Sequence, residues 1–484
     1  MQIMKMYMNT QWTNAVSGEF LSVYNPANQE EIDRVPRAGK EDVELAVSAA
    51  KQAFESPKWQ SLRPSVRGHA LYEVACKLRE RIEEIAMVET MDTGKPLAQA
   101  RSDVESGARY FEYYAGVADK FFGETIPVAP NIIDYTVREP MGVCAQIIPW
   151  NYPLQITSRG VAAAISVGNT VVVKPAEDTP LSALKLAEIF SEIDVLKHAL
   201  QVVTGYGEEA GAALVNHPDV NHVTFTGSAA TGASVMISAA KNIIPVTLEL
   251  GGKSPHIVFP DCDLEETVSW VLRSIIQNAG QTCSAGSRLL VHSTIKDKLL
   301  GILTEKMRQI KIGPGVNDSE LGPIISQKQF ERIMAMVKRA KEEGARIVIG
   351  GKRATGGHLN KGFYFEPTII ENVSRTSEIA QEEIFGPVLT VFEFETENEA
   401  IELANGTPYG LVTGIWTNDI SRAHRIAGKV KSGQVFINDY GAAGGVELPF
   451  GGYKKSGIGR EKGVEALRNY TQLKNIAIKI KSNE

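Results

Sequence analysis

The sequence has few cysteines and no long apolar run. Its four cysteines among 484 residues are widely scattered, with no C-x-x-C pair and no histidines at metal-ligand spacing. This excludes a disulfide framework and predicts that no metal is bound. A membrane span needs roughly 18 unbroken apolar residues. The nearest stretch, 161–173, is interrupted by Ser166, Asn169 and Thr170, so no span is predicted.

Charge of one sign is also lacking. Lys and Arg number 51 against 57 Asp and Glu, which gives a net charge of −6, and no basic cluster occurs. Nucleic acid and anionic membranes are therefore poor candidates as partners. The first residues lack the continuous apolar segment of a secretory signal. These absences predict a cytoplasmic protein whose partners are small molecules.

The chain is too long for one hydrophobic core, so two or three domains are expected. Helical periodicity dominates up to about residue 120, and after Pro140 short β-branched runs alternate with helical patterns. Such alternation predicts an α/β fold with a parallel sheet covered on both faces, whose ligands bind beyond the carboxyl ends of the strands. A second alternating block after Gly252 predicts a second α/β domain. The runs that define the first sheet are CAQIIPWN, NTVVVKPA, HVTFTGS and PVTLELGG.

Two segments fit neither block. They are residues 131–140 and the C-terminal NIAIKI, in which Ile476, Ile478 and Ile480 alternate with other residues. Alternating apolar residues at a sheet edge invite pairing. We expect the two segments to pair with each other and then to join a second copy, which gives a homodimer or a homotetramer.

Cys283 stands in the stretch NAGQTCSAGS, directly after a helix predicted over 263–278. An unpaired cysteine is usually a small buried apolar residue, yet these neighbours are small and polar, which indicates a thiol that a ligand reaches. Glu249 lies near the end of an apolar strand, where a carboxylate caps something or acts as a base. Asn151 and Glu383 are weaker candidates for chemistry. Asn151 also suits a turn beside a proline, and Glu383 also suits a solvated charge.

Two glycine-rich stretches are candidates for phosphate contact. GYGEEAG, residues 205–211, resembles a dinucleotide loop but does not cleanly follow a strand. FTGSAATG places Gly227 and Ser228 between a strand and a helix, where backbone N–H groups hold phosphates. Each stretch alone also suits an ordinary turn into a helix.

Taken together, seven segments resemble those of the NAD(P)-dependent aldehyde dehydrogenases, in the same order and over nearly the whole chain. The resemblance implies an α/β fold with a Rossmann-like NAD-binding domain (1–120 and 141–250), a second α/β catalytic domain (251–447) and a small β oligomerisation extension (121–140 and 468–484). The segments are PWNYP, VVVKPAEDTP, FTGS, LELGGKSP, GQTCSAGSR, EEIFGPV and PFGGYKKSGIGRE.

The resemblance implies roles for four residues. Cys283 is the nucleophile that attacks the aldehyde as a thiolate and forms a thiohemiacetal. The Asn151 amide and the Cys283 backbone N–H stabilise the resulting oxyanion. Glu249 activates the water that hydrolyses the thioester; relatives that transfer the acyl group to coenzyme A generally lack this carboxylate, so a free acid is expected. Glu461, in the exposed-looking run GRE, assists proton movement.

For the cofactor, Lys174 and Glu177 match the pair that holds the adenine ribose. A carboxylate accepts hydrogen bonds from the ribose hydroxyls and repels a 2′-phosphate, which favours NAD over NADP. The other residues that the resemblance places against the cofactor are Ile147, Pro149, Trp150, Gly207, Gly227, Ser228, Glu383 and Phe385.

The substrate is the most open question. Arg159 resembles an arginine that faces a substrate carboxylate in succinic-semialdehyde dehydrogenases and has a more structural role in aromatic-aldehyde dehydrogenases, and Tyr152 is a second substrate candidate. A broad aliphatic or aromatic aldehyde is the first prediction, and a semialdehyde is the alternative. A non-catalytic descendant of the family is a third interpretation, disfavoured because Cys283, Glu249 and Asn151 are all present.

Overall fold

The computed structural model describes residues 4–481. Within that range no helix is both long enough and apolar enough to cross a bilayer. The helices are α1 Lys40–Glu55, α2 Pro57–Gln60, α3 Pro64–Glu80, α4 Ile82–Thr93, α5 Leu97–Val117, α6 Pro153–Ser166, α7 Leu181–Ser191, α8 Ala212–Val215, α9 Ala229–Ala240, α10 Leu264–Ile276, α11 Lys296–Arg308, α12 Gln327–Glu342, α13 Glu378–Gln381, α14 Glu397–Asn405, α15 Ile420–Ala427 and α16 Ala466–Asn469.

The strands up to residue 250 are β1 Met6–Met8, β2 Gln11–Thr13, β3 Phe20–Tyr24, β4 Glu31–Pro36, β5 Ile132–Pro140, β6 Val143–Ile147, β7 Thr170–Lys174, β8 Leu200–Val202, β9 His222–Gly227 and β10 Val246–Leu250. The later strands are β11 Pro255–Val258, β12 Arg288–His292, β13 Arg346–Ile349, β14 Thr368–Glu371, β15 Val388–Phe394, β16 Tyr409–Gly410, β17 Val412–Trp416, β18 Gln434–Ile437, β19 Tyr453–Lys454, β20 Gly457–Ile458 and β21 Thr471–Lys479.

The first sheet has the strand order β2-β1-β8-β7-β6-β9-β10-β20, and its five central strands are parallel. From β6 the chain continues to β7 on one side and later to β9 on the other, so a ligand crevice opens at the carboxyl end of β6. This is the Rossmann-like arrangement predicted from the sequence. Helices cover both faces, and every residue of β6 and β7 is buried, as in other parallel sheets.

The second sheet has the order β13-β14-β15-β12-β11-β17-β18, parallel except for the antiparallel edge strand β13. It confirms the second α/β block. Strand β14, and strands β8 and β20 of the first sheet, are not evident in the sequence pattern. These are short strands of two to four residues, too short for a periodic signal.

Only residues 251–254 connect β10 to β11. The carboxyl edge of the first sheet therefore meets the amino edge of the second: Gly252 N–H donates to the Glu383 carboxylate at 3.0 Å, and Glu383 precedes β15. Cys283 likewise precedes β12. The expectation that ligands bind beyond the carboxyl ends of strands therefore applies to the first sheet alone. The second sheet presents the amino ends of its strands to the same cleft.

The two segments that fitted neither block pair with each other, as predicted. Strands β5 and β21 are antiparallel, from Thr471 opposite Pro140 to Lys479 opposite Ile132. This two-stranded ribbon carries exposed apolar side chains, including Leu473 at 59% exposure and Ile133 at 47%. A ribbon with so much apolar surface has a face suited to another protein surface.

Candidate active site

The cysteine loop, residues 277–287, begins where α10 ends. Its first turn is left-handed, with φ of +49° at Asn278, +55° at Ala279 and +71° at Gly280. A glycine is required at 280, since a Cβ there would lie 2.2 Å from the carbonyl oxygen of Gly386. Left-handed backbone at an alanine is strained and is characteristic of functional sites. Cys283 lies in the second half of the loop, before β12, and is half-buried.

Asn151, just before α6, binds the loop from the side of the first sheet. Its side-chain amide donates to the Gln281 carbonyl oxygen at 2.9 Å, and its own carbonyl oxygen accepts from the Asn278 side chain at 2.9 Å. An amide nitrogen carries two hydrogens. One N–H of Asn151 therefore fixes the loop, and the other is left for a substrate oxygen.

Tyr440 binds the loop from the side of the second sheet, where its hydroxyl donates to the Ser284 carbonyl oxygen at 2.7 Å. Its ring lies 4.4 Å from that of His256. The Trp416 indole donates to Nδ1 of His256 at 3.0 Å, so Nε2 carries the proton and donates to Ser274 at 2.8 Å. Burial lowers the pKa of His256 to about 3. It is a neutral structural group, and sequence reasoning found neither it nor Tyr440.

The environment of Cys283 keeps its thiol protonated in the free protein. Its pKa is raised to about 12, chiefly by burial and then by the charge of Glu383, with a smaller contribution from Glu249 and an opposing effect of Arg159. Attack on an aldehyde as a thiolate therefore requires that the thiol lose its proton in that step.

Glu249 is a buried carboxylate whose charge acts on the Cys283 thiol. It lies in β10, opposite Thr226 of β9 and Gly457 of β20, and it is 2% exposed. Within residues 4–481 neither of its carboxylate oxygens has a hydrogen-bond partner. Burial raises its pKa well above the ordinary value, and the charge of Glu461 raises it further. Glu249 caps nothing, which leaves the interpretation as a base.

Glu461 is buried, at 2% exposure, so the expectation that Glu461 is exposed was wrong. The reason is Arg159 of α6, also buried, whose guanidinium forms an ion pair with the Glu461 carboxylate. The same guanidinium lies 5.5 Å from the centre of the Phe450 ring, and Phe450 and Glu461 exchange backbone hydrogen bonds. Arg159 thus has a carboxylate partner inside the chain.

The carboxyl edge of the first sheet carries groups suited to a dinucleotide. Lys174 ends β7, and its ammonium lies 2.9 Å from the carboxylate of Glu177, whose side chain is 37% exposed. Ser228 caps α9 by accepting from Thr231 N–H, and the free N–H groups at such a helix start favour a phosphate. Gly207 packs beside Lys174, whose Nζ would lie 3.9 Å from a Cβ at that position.

Three further residues close the cleft from both sheets. Glu383 is not a solvated charge: it binds Gly252 N–H, and a Cβ on Gly251 would lie 2.2 Å from its carboxylate. Burial raises its pKa to about 7. The backbone at Phe385 is left-handed, with φ of +59°. Its ring meets the Trp150 ring edge-on, with the ring centres 5.2 Å apart. Carboxylates for ribose hydroxyls and a helix start for the pyrophosphate together fit NAD. Ile147 is the last residue of β6 and Pro149 follows it, so both lie at the same edge of the first sheet.

Comparison with known proteins agrees with this geometry. Residues 12–476 match the aldehyde dehydrogenase family. An aldehyde dehydrogenase of Emericella nidulans is 43% identical over 98% of this chain and 95% of that protein. A betaine aldehyde dehydrogenase of Bacillus subtilis is also 43% identical, over 97% and 96%. The NAD+ complex of a Bacillus cereus aldehyde dehydrogenase superposes with a TM-score of 0.96 at 42% identity, over 99% and 97%. The chain belongs to the aldehyde dehydrogenase family and is an enzyme.

Proposed function

We propose that the protein oxidises a small aldehyde to the carboxylic acid, with NAD as oxidant and through a covalent intermediate on Cys283. One observation carries the proposal. A half-buried thiol, held on a strained loop by Asn151, lies in the field of a buried carboxylate, Glu249, that has no partner within residues 4–481. Thiol, amide and unpaired base are the groups that acyl chemistry requires.

The first step forms the carbon–sulfur bond. Because the Cys283 thiol is protonated in the free protein, its proton passes to solvent water as the sulfur attacks the aldehyde carbon. The carbonyl oxygen becomes an alkoxide, which accepts hydrogen bonds from the remaining Asn151 N–H and the Cys283 backbone N–H. The product is a thiohemiacetal.

The chemistry that NAD supplies when bound is to accept the hydride that leaves the thiohemiacetal carbon. The residues that would hold it are Lys174 and Glu177 at the adenine ribose, Ser228 at the pyrophosphate and Glu383 at the other ribose. The exposed Glu177 carboxylate favours NAD over NADP, since it repels a 2′-phosphate.

The last step cleaves the thioester. Glu249 removes a proton from water, the hydroxide attacks the acyl carbon, and the thiolate of Cys283 leaves and takes that proton back from Glu249, which restores both groups. The raised pKa of Glu249 makes it a stronger base than an ordinary carboxylate. Glu461 lies close enough to influence that pKa, which supports its part in moving the proton. The product is therefore a free acid.

A neutral aliphatic or aromatic aldehyde suits the site best. A semialdehyde would bring a carboxylate to Arg159, but Arg159 is already paired with Glu461. A third charge there would leave one carboxylate unpaired in a buried site. Tyr152 remains the aromatic residue that we propose contacts the substrate.

The test is the Cys283→Ala variant with propanal or benzaldehyde and NAD, followed by absorbance of NADH. We expect no oxidation but undiminished NADH binding. Cys262→Ala is the matched control and keeps its activity, because Cys262 packs against apolar residues of the second sheet and its helices. Turnover by Cys283→Ala would contradict the proposal. An inactive wild type across aliphatic, aromatic and ω-carboxylated aldehydes would favour a non-catalytic descendant.

The proposal extends to organisation and assembly. We propose domains at 1–120 with 141–250, at 251–447, and at 121–140 with 468–484, although the last three residues lie outside the described part. A second copy covers the apolar ribbon of β5 and β21, in a cytoplasmic homodimer or homotetramer. Sedimentation of the wild type against a chain ending at Leu473 tests this, and a fully active wild-type monomer would refute it.

A further inference from the structure

The turn between α4 and α5, in the sequence DTGKP, brings a buried cation beside the cysteine loop. The Lys95 side chain is fully buried, and its ammonium binds Glu89 at 3.0 Å and Asp103 at 2.6 Å. The same ammonium lies 4.3 Å from the centre of the Tyr152 ring, a favourable cation–π distance. Two carboxylates thus fix the lysine, and the lysine fixes one face of the tyrosine.

The hydroxyl of Tyr152 continues the connection to the loop. It accepts from the Gln99 amide at 3.1 Å and bonds to the Thr282 hydroxyl at 2.9 Å. The Gln99 nitrogen can only donate, so the tyrosine hydroxyl is held between Gln99 and Thr282, the residue before Cys283. The other end of Gln99, its amide oxygen, accepts from Asn278 N–H at 3.1 Å. One glutamine therefore contacts the left-handed start of the loop and the tyrosine beneath its tip.

The same turn packs on the segment that holds the middle of the loop. A Cβ on Gly94, at φ +80°, would lie 2.5 Å from the Pro323 ring. The carbonyl oxygen of Pro323 accepts from the Gln281 amide at 3.3 Å, and Ile325 N–H donates to the Gln281 amide oxygen at 2.9 Å. The loop is thus held at its start, middle and tip by groups around this turn.

We propose that Gln99 and Lys95 are positioning residues that hold the cysteine loop in its strained conformation, acting through Tyr152 and Asn278. The inference rests on the proposed nucleophilic role of Cys283. Left-handed backbone at Ala279 persists only where surrounding contacts enforce it. Without them the loop relaxes, the thiol becomes more accessible, and its alignment with the aldehyde and Asn151 is lost. Loss of this alignment slows the reaction strongly.

The test compares Gln99→Met and Tyr152→Phe with Tyr7→Phe. The control removes a hydroxyl of the same kind, on a buried tyrosine and bonded to the Lys197 carbonyl oxygen at 2.8 Å, where β1 pairs with β8 in the first sheet. At saturating propanal and NAD, we expect the NADH burst to slow about tenfold in each test variant, the effect of one lost hydrogen bond in the reacting geometry. The control keeps the wild-type burst.

Alkylation by iodoacetamide, read by peptide mass spectrometry, gives the second measurement. Cys283 should react several-fold faster in both test variants, while the buried Cys144 of β6 reacts at its wild-type rate. Opposite changes in burst and alkylation mark a loosened loop rather than a loosened protein. Equal acceleration at Cys144, or no acceleration at Cys283, would overturn the proposal.

The double variant Gln99→Met/Tyr152→Phe completes a cycle. Because the two residues share a hydrogen bond, the double variant should lose less than the product of the single losses. Bursts within twofold of wild type in both single variants, or purely multiplicative losses, would overturn the proposal. Alkylation reports on the loop even if Cys283 proves not to be the nucleophile, so the two failures are distinguishable.

Discussion

Two buried ion clusters lie near Cys283, and they differ in one respect. The Lys95 cluster contains Lys95, Glu89 and Asp103, and the Arg159 cluster contains Arg159, Glu461 and Glu249. Each has one cation and two carboxylates. In the Lys95 cluster both carboxylates bind the cation. In the Arg159 cluster only Glu461 is paired, and both oxygens of Glu249 lack partners in the described part of the chain.

The difference separates architecture from chemistry. A carboxylate that is satisfied by a lysine is a fixed point of the structure, and breaking it leaves a buried charge. A buried carboxylate without a partner has a raised pKa and weakens the folded state. Natural proteins retain such carboxylates at functional sites. Substitutions in the two clusters should therefore have opposite profiles of stability and activity.

Among substitutions in the two clusters, Glu249→Gln should have the largest effect on turnover. The amide cannot take a proton from water, so kcat should fall by about 10²–10⁴-fold. Stopped-flow absorbance should show a burst of NADH followed by slow turnover. If the burst also vanishes, Glu249 acts before the hydride transfer, as the base that removes the proton from Cys283.

The stability of this variant sharpens the comparison. The folded-state pKa of Glu249 is raised by burial, so its ionisation weakens the folded state as pH rises above the unfolded value. Glu249→Gln should therefore be at least as stable as wild type in urea at pH 8. A clear loss of stability would show that Glu249 has a structural partner after all.

Lys95→Met should have the converse profile. It leaves Glu89 and Asp103 buried without their cation, which should lower the free energy of unfolding by about 3–5 kcal/mol. Burial already raises the pKa of Asp103 to about 6, and removing the lysine raises it further. The loss should thus be larger at pH 8, where Asp103 is ionised in the wild type, than at pH 5.

The control for that measurement is Lys58→Met, which breaks an exposed ion pair with Asp194 and should change urea unfolding little. Equal losses in Lys95→Met and Lys58→Met would remove the distinction between the clusters. A loss that does not depend on pH would assign the effect to packing rather than to charge.

Glu461→Gln tests the coupling inside the Arg159 cluster. The Glu461 charge raises the pKa of Glu249 and Arg159 lowers it, so the variant should move the acid limb of the kcat profile to lower pH. Lys462→Met removes a cation that lowers the same pKa and should move the limb to higher pH. Shifts in the same direction in both variants would contradict the assignment of the limb to Glu249.

The smallest effect is expected at a third, partly exposed pair, Lys174 and Glu177. Glu177→Ser should raise kcat/KM with NADP about tenfold by removing repulsion of the 2′-phosphate, worth about 1.4 kcal/mol, with little change in stability. Steady-state rates with NAD and NADP measure this. A wild type that already prefers NADP would show that the ribose lies elsewhere.

The sequence alone identified both sheets and the main motif residues, because each motif follows or precedes a strand with a clear pattern. It did not reveal that the second sheet offers its amino ends, which depends on the short connection at 251–254. Glu461 was misjudged because a charged run is typical of the surface, and its burial depends on Arg159, some 300 positions away along the chain. Lys95 and Gln99 gave no signal for the same reason: their contacts at Tyr152 and Asn278 exist only in the fold.

The most direct test of the account is to trap the acyl group. Glu249→Gln is mixed with NAD and propanal, quenched in acid after the burst, and digested for mass spectrometry. We expect the peptide that contains Cys283 to carry a propionyl group, in an amount that matches the burst of NADH, and Cys283→Ala to carry none. A burst of NADH without this adduct, or with the acyl group on another residue, would contradict the covalent mechanism.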